Sequence, residues 1–138
     1  MREYRLTKGS RILELGCAKG YLLAELRDRL PHSECWGLDI SRYALTEAST
    51  LQDLRLVEGN FQSLPFRTDY FDLVVSFNSL HNILTMNETM EALREISRVS
   101  SAALITVGAY QDLEAKAVLD QWAVVATTYL STEAWLAL

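Results

Sequence analysis

Short apolar runs alternate along this chain with segments in which apolar residues recur at helical spacing. The run Phe71–Phe77 is continuous and of strand length, which is typical of a strand that is covered on both faces. Strands that alternate with helices of about ten residues predict a parallel sheet built from right-handed crossovers. We therefore predict a doubly wound α/β domain, with a mainly parallel sheet and helices on both of its faces.

The element boundaries follow from the apolar period and from the turn and cap residues. The predicted strands are Arg11–Leu15, Glu34–Leu38, Leu54–Val57, Phe71–Phe77 and Ala103–Val107. Three predicted helices are Gly20–Leu30, Gln111–Ala126 and a last helix that begins at Ser131. Another is capped by Ser41 and buries Ala44, Leu45 and Ala48. A further helix runs from an Asn87 cap to about Val99 and turns Met90, Leu93 and Ile96 inward.

The composition describes one globular domain over residues 1–138. The net charge of −5 and the absence of a basic run give no electrostatic footprint for nucleic acid or for an anionic membrane. No apolar stretch approaches the roughly 20 residues that span a bilayer, and the polar N-terminus is unlike a signal peptide. Cys17 and Cys35 provide neither a disulfide framework nor metal-ligand spacing. We therefore expect a cytoplasmic protein without a metal and without nucleic-acid or membrane partners.

Residues that could bind a ligand or take part in catalysis follow the ends of the predicted strands. They are Gly16–Gly20 after the first strand, Asp39 after the second, Gly59–Phe61 after the third and Asn78–His81 after the fourth. In doubly wound sheets, ligands bind beyond the carboxyl ends of the strands, where the strand order reverses. The sequence therefore predicts one site at this edge of the sheet.

The glycine loop Gly16-Cys17-Ala18-Lys19-Gly20 limits the choice of ligand. A dinucleotide fingerprint requires further glycines, but Ala18 and Tyr21 occupy those positions, and no Gly-Lys-Ser/Thr of a phosphate loop is present. Glu14 adds a negative charge where a phosphate would be unfavourable, so a positively charged ligand without phosphate fits better. Asp39 is placed either to bind both ribose hydroxyls or to start the next helix.

These motifs resemble those of the class I S-adenosylmethionine-dependent methyltransferases. ELGCAKG resembles the acidic-x-Gly-x-Gly-x-Gly signature of that family, WGLDIS its second motif, and GNFQSLPF with YFDLVVSFNSLHNI its third and fourth. The resemblance extends from about Lys8 to Val107. It implies a Rossmann-like methyltransferase core that binds S-adenosylmethionine.

The resemblance implies a role for each matching residue. The backbone of the glycine loop, at Gly16, Cys17, Ala18 and Gly20, would wrap the methionine part of the cofactor. Glu14 would help to hold that loop and would bind the ammonium group of the cofactor through water. Asp39 would bind the ribose, Ile40 and Phe61 would flank the adenine, and Asn60 would accept from the adenine amino group in place of the usual aspartate. Asn78 would line the methionine end of the pocket.

The chain departs from the family pattern at two places. Ala18 replaces the middle glycine, which is tolerable if its backbone angles are ordinary. The family also carries helices before the first strand and two strands after the fifth, so we expect an incomplete C-terminal part. The missing strands would leave an exposed edge through which the chain could self-associate.

The function that these patterns favour is methyl transfer to a small-molecule acceptor. A methyltransferase-fold module that binds or regulates without catalysis is an alternative, and a dinucleotide-dependent oxidoreductase is a third hypothesis, although its glycine spacing is wrong. His81 is a candidate general base or a residue that only shapes the pocket. Cys17 is either a reactive thiol or a small residue that packs in the loop.

Overall fold

The computed structural model describes residues 6–51, 53–83, 85–123 and 127–138. Its strands are β1 (Arg11–Leu15), β2 (Glu34–Asp39), β3 (Arg55–Glu58), β4 (Leu73–Phe77), β5 (Ala103–Thr106), β6 (Ala109–Tyr110) and β7 (Leu130–Ser131). Its helices are α1 (Tyr21–Arg29), α2 (Arg42–Ala48), α3 (Met86–Val99), α4 (Leu113–Trp122) and α5 (Thr132–Leu136), with a short 3-10 turn at Leu80–Asn82. None of the helices within the described residues is long and apolar enough to cross a membrane.

The five long strands form a parallel sheet with the order β3-β2-β1-β4-β5. The chain builds outward from β1 to β3 on one side and then returns to place β4 on the other side of β1. The strand order therefore reverses between β1 and β4, which is where a doubly wound sheet opens a crevice. The predicted doubly wound α/β fold is confirmed.

Helices cover both faces of this sheet. On one face, Leu13 and Val74 pack in a cluster with Ile96 of α3. On the other face, Ile12 and Val75 belong to a second cluster, against which Leu26 of α1 and the C-cap residue Leu30 pack. The central strand β1 is thus buried on both faces, because successive side chains of a strand point to opposite sides.

Helix α3 begins earlier than predicted, because Thr85 rather than Asn87 is its N-cap. The Thr85 hydroxyl accepts the Glu88 N–H at 3.2 Å and donates to the Glu88 carboxylate at 2.7 Å. This is a variant of the capping box in which the carboxylate accepts from the hydroxyl of the N-cap residue. The Thr-x-x-Glu spacing that signals this box is visible in the sequence. The buried face is also shifted: Ile96 is buried as predicted, whereas Met90 and Leu93 lie at its edge.

The C-terminal elements differ from the prediction mainly in length. The helix expected over Gln111–Ala126 is described as Leu113–Trp122 with Asp112 as its cap, and residues 124–126 lie outside the described residues. The helix expected from Ser131 is present, with Ser131 as its N-cap. The pairing of β6 with β7 was not predicted, because strands of two residues carry no readable period.

Candidate functional site

The loop after β1 has an unusual backbone. Gly16, Ala18 and Gly20 have φ values of 74°, 45° and 74°, all in the left-handed region. A Cβ on Gly16 would lie 2.3 Å from the Ser79 Oγ, so this position accepts only glycine. The loop therefore lies directly against the segment that follows β4.

Ala18 does not have the ordinary backbone angles under which its methyl group is easily tolerated. A left-handed conformation costs a residue with a Cβ about 1–2 kcal/mol. The Ala18 N–H donates to the Asp39 Oδ2 at 2.9 Å, which helps to hold the strained backbone in place. The strain is thus stabilised by a neighbouring strand end.

Asp39 connects the glycine loop to the start of α2. Its Oδ2 accepts the Ala18 N–H, and its Oδ1 accepts the Ser41 N–H at 2.8 Å. Two backbone donors fix the orientation of the carboxylate, and each oxygen keeps a further lone pair for a ligand. Both roles that the sequence left open, ribose binding and helix initiation, are therefore compatible in one side chain.

Glu14 lies beneath the loop and is only 5% exposed. Gly20, the N-cap of α1, has no side chain to offer, and the Glu14 carboxylate instead accepts the N–H of Leu23 in the first turn. Burial, with a smaller contribution from the nearby Asp39 charge, raises the pKa of Glu14 to about 7. Glu14 thus holds the helix that follows the loop rather than lining the cavity described below.

Cys17 packs inside the domain. Its Sγ would lie 2.7 Å from a Cβ placed on Gly37, so the thiol fills the space that this glycine leaves. Burial, helped by the negative charges of Glu14 and Asp39, raises the pKa of Cys17 to about 12. A thiol that stays protonated is a poor nucleophile, so the structure favours the packing role.

A cavity of about 640 Å³ opens at the strand ends beside this loop, a size typical of small-molecule sites. Its first wall follows β1, β2 and β3 and consists of Gly16, Ala18, Asp39, Ile40, Gly59, Asn60, Phe61 and Gln62. Its second wall follows β4 and consists of Ser79, Asn82, Ile83, Glu88 and Glu91. The structure therefore brings six of the predicted cofactor residues together, all in the first wall.

Asn60 lies in the first wall with one of its polar atoms already engaged. Its Oδ1 accepts the Ser63 N–H at 3.0 Å, which closes the turn after β3. An amide oxygen has a second lone pair, and the Asn60 Nδ2 adds donors that an aspartate lacks. Asn60 therefore differs from an aspartate in chemistry as well as in charge.

Asn78 lies outside the cavity wall. The Asn78 N–H donates to the Thr106 carbonyl at 3.0 Å, and its Oδ1 accepts from the Thr106 hydroxyl at 3.4 Å. Asn78 thus fastens the end of β4 to the end of β5, and the next residue, Ser79, reaches the cavity instead. This geometry does not support the predicted cavity-lining role of Asn78.

His81 is also outside the cavity wall and is tied to the later chain. Its Nδ1 accepts the Gly108 N–H at 2.9 Å, and its carbonyl accepts the N–H groups of Thr127 and Thr128 at 3.0 Å each. The acceptor role of Nδ1 assigns the ring proton to Nε2, and burial lowers the pKa of the ring. No lone pair is left free to take a proton from a substrate, so the geometry favours a positioning role over general base catalysis.

The cavity is acidic. Asp39, Glu88 and Glu91 line it, and no lysine, arginine or histidine does so among the described residues. Two cations near the rim are paired elsewhere: Lys19 lies 4.0 Å from Glu47, and Arg42 lies 2.8 Å from Glu58. No group of three or more His, Cys, Asp or Glu in the described part of the chain could hold a metal ion.

Sequence reasoning missed most of the second wall. Ser79, Asn82 and Ile83 belong to the segment that follows β4, and Glu88 and Glu91 lie three positions apart on α3. The capping box at Thr85 would have placed the start of α3 and hence these two glutamates near the strand ends. Nothing local in the sequence shows that Asn82 rather than Asn78 lines the cavity.

Comparisons with known proteins agree with this geometry. A family model described as "Methyltransferase domain" matches residues 12–102. A malonyl-[acyl-carrier protein] O-methyltransferase from Legionella pneumophila is 31% identical over 100 residues, which are 70% of this chain and 35% of that protein. A tRNA (carboxymethyluridine(34)-5-O)-methyltransferase from Arabidopsis thaliana is 29% identical over 136 residues, which are 95% of this chain and 31% of that protein. The chain spans between about a third and a half of the first curated relatives it matches.

Solved structures have the same fold. The YcgJ protein of Bacillus subtilis superposes with a TM-score of 0.78 at 21% identity, over 97% of this chain and 61% of that chain. The S-adenosylmethionine-bound structure of CalS10, an amino pentose methyltransferase from Micromonospora echinaspora, superposes with a TM-score of 0.59 at 26% identity, over 66% of this chain and 39% of that chain. The family match, the relatives and the sheet order together show that this chain belongs to the class I S-adenosylmethionine-dependent methyltransferases.

Proposed function

We propose that the cavity binds S-adenosylmethionine and that the protein transfers its methyl group to a small-molecule acceptor. The observation that carries the proposal is the Asp39 carboxylate, which two backbone N–H groups orient at the wall of a cavity that no basic side chain of the described residues lines. A carboxylate held in this way suits a ribose diol, and an acidic cavity suits a cationic cofactor. The same charge disfavours a pyrophosphate, which argues against a nicotinamide dinucleotide.

The apolar residues of the first wall support the same ligand. Ile40 is 73% exposed although it lines the cavity, and Phe61 lies half-buried on the same wall. A flat ring bound between them would remove this apolar surface from water. We assign the adenine to this position, with Asn60 at its edge.

The chemistry of methyl transfer asks the chain mainly to bind and to orient. S-adenosylmethionine supplies, when bound, a methyl group on a cationic sulfur that a lone pair of the acceptor attacks directly. The chain contributes a rigid glycine loop, an oriented carboxylate at Asp39 and a cavity that limits the access of water. A base is required only where the acceptor arrives protonated, and His81 is not free to be that base.

Small-molecule methylation is our choice over nucleic-acid methylation. The sequence has a net charge of −5, and the cavity carries carboxylates, both of which repel a polyanion. The named relatives act on different acceptors, so the acceptor of this chain is inferred from its own cavity. A cytoplasmic location would follow from this function.

Ligand-induced stabilisation tests the proposal. A ligand at 100 times its dissociation constant adds about 2.7 kcal/mol to stability, so S-adenosylhomocysteine should raise the melting temperature and NAD should not. In Asp39→Ala and Asp39→Asn, each compared with its own unliganded melting temperature, most of this shift should be lost. Asp120→Ala, which removes an exposed carboxylate on α4, should keep it.

Two outcomes would contradict the proposal. One is a folded wild-type protein whose melting temperature neither S-adenosylmethionine nor S-adenosylhomocysteine changes. The other is a ligand-induced rise in melting temperature in both Asp39 variants that equals that of wild type, which would show that this carboxylate does not contact the ligand. Binding of the cofactor without turnover of any acceptor would favour the binding or regulatory module.

A further inference from the structure

The second wall of the cavity has a different chemical character from the first. The first wall supplies backbone groups, one oriented carboxylate and apolar surface, which together account for an adenosyl ligand. The second wall, across from it, supplies Ser79, Asn82 and Ile83 together with two glutamates of α3. Because the proposed cofactor is assigned to the first wall, an acceptor would be placed against the second.

Glu88 and Glu91 differ in how they are held. Glu88 is half-buried, and the Thr85 hydroxyl lies 2.7 Å from its carboxylate as part of the capping box. Glu91 lies three positions later, so it projects from the same side of α3 one turn further along. Its carboxylate is exposed at the cavity, and among the described residues no hydrogen bond or ion pair is found for it.

Among the described residues, no lysine, arginine or histidine lines this wall. Lys19 and Arg42 have their own partners in Glu47 and Glu58 and do not line the cavity. Asp39 adds a third carboxylate on the opposite wall. The field inside the cavity is therefore negative on both sides, and a partly enclosed site strengthens that field.

We infer that this cavity selects an acceptor with a protonated amine, and that Glu91 is the residue that determines this selectivity. The charged amine is the group that is recognised, and the methyl group goes to a different, neutral atom of the acceptor that has a free lone pair. The inference rests on the proposed function, because it names the acceptor class of the same site. Acceptors with a carboxylate or a phosphate next to the reacting atom are disfavoured by the same charges. Glu91 acts here on recognition and needs no part in the transfer itself.

Three probes of similar size and different charge test the inference. Phenethylamine, phenethyl alcohol and phenylacetate are titrated at pH 7.5 and low ionic strength, with and without saturating S-adenosylhomocysteine, and binding is followed by ligand-observed NMR. We expect phenethylamine to bind at least about tenfold more tightly than phenylacetate, with the alcohol between them. In Glu91→Gln the ratio should fall about fivefold, because an isosteric amide removes only the charge.

Glu114→Gln is the matched control. Glu114 is likewise an exposed helical glutamate, but it lies on α4 and outside the cavity wall, so its substitution should leave the ratio unchanged. Phenylacetate binding as tightly as phenethylamine, no detectable binding of any probe, or an unchanged ratio in Glu91→Gln would each overturn the inference. The thermal shift with S-adenosylhomocysteine is measured on the same samples. Its absence contradicts the proposed function, whereas a normal shift without amine preference contradicts only the selectivity of the second wall.

Discussion

The first and second walls of the cavity face each other but are held by different kinds of contact. In the first wall, the Asp39 carboxylate joins the backbone of Ala18 to that of Ser41, all within the β1–α2 region. In the second wall, the segment after β4 is held through His81, whose partners Gly108 and Thr127 come from much later in the chain. The first wall is therefore held by contacts within the N-terminal part of the domain, whereas the second also depends on how the C-terminal segment packs.

This difference has a functional consequence. In the function we propose, the cofactor binds at the first wall and the acceptor at the second. Loops on a rigid scaffold are where recognition varies among related proteins, so we expect the second wall to determine the acceptor. Substitutions that affect one wall and leave the other intact therefore test this difference.

The largest effect is expected at Gly16, where the two walls touch. Gly16→Ala combines a left-handed φ of 74° with a Cβ 2.3 Å from the Ser79 Oγ, and should lower the free energy of unfolding by about 2–4 kcal/mol. Urea denaturation measures this loss. Gly9→Ala is the control, because Gly9 has a φ of 89° but open space around it, and should cost only about 1 kcal/mol. Equal losses at both positions would show that the walls are not in close contact.

A change beneath the first wall should alter how stability depends on pH. The pKa of Glu14 is about 7 in the folded protein and near 4.5 ordinarily, so between these values the folded state binds more protons than the unfolded state. The contribution of Glu14 to the free energy of unfolding should therefore fall as the pH rises from 4.5 to 7 and stay constant above pH 7. Glu14→Gln removes that loss and should be more stable than wild type by about 1–3 kcal/mol at pH 8.

Urea unfolding at pH 5 and pH 8 provides the comparison for Glu14→Gln. The advantage of the variant should be present at pH 8 and small or absent at pH 5. Glu114→Gln, at an exposed position, should follow the wild-type profile. If the stability of Glu14→Gln depended on pH in the same way as that of wild type, the raised pKa of the buried Glu14 carboxyl would be contradicted.

A smaller effect is expected at His81, which holds the segment that carries the second wall. His81→Leu leaves the Gly108 N–H without its acceptor and should cost about 1–2 kcal/mol, whereas His81→Asn offers an oxygen and should regain most of this. Burial lowers the pKa of His81 below 6.5, so wild-type stability should fall as pH drops below 6.5, and the Leu variant should lack this dependence.

Cofactor binding distinguishes the two roles considered for His81. Because His81 lies outside the cavity, both variants should keep the thermal shift with S-adenosylhomocysteine, read against their own unliganded proteins. Once an acceptor is known, His81→Asn should also keep most of the turnover. A folded His81→Asn protein that binds the cofactor normally but has no turnover would instead support the role of His81 as a general base.

The sequence predicted the first wall better than the second, for a physical reason. Strand β1, the glycine loop, Asp39 and Ser41 lie close together in the chain, and their roles follow from local backbone needs such as positive φ and helix capping. The doubly wound parallel sheet was predicted from the alternation of strands and helices, which allows few topologies, whereas the strand order came from the structure. The hydrogen bond from Ala18 to Asp39, whose residues are 21 positions apart, is the part of the first wall that only the structure shows.

The second wall required knowledge of tertiary contacts. That Asn78 bonds to Thr106, and that His81 accepts from Gly108, depends on where β5 and the chain after it lie. No local pattern encodes those distances. The strain at Ala18 was also hidden, because an alanine in sequence gives no sign of a φ of 45° that neighbouring groups impose.

The most direct test of the central claim is a crystal structure with S-adenosylhomocysteine. We expect the ribose hydroxyls within hydrogen-bond distance of the Asp39 carboxylate, the adenine between Ile40 and Phe61, and the second wall left open for an acceptor. Ligand density elsewhere on the protein, or a ribose that does not contact Asp39, would contradict it.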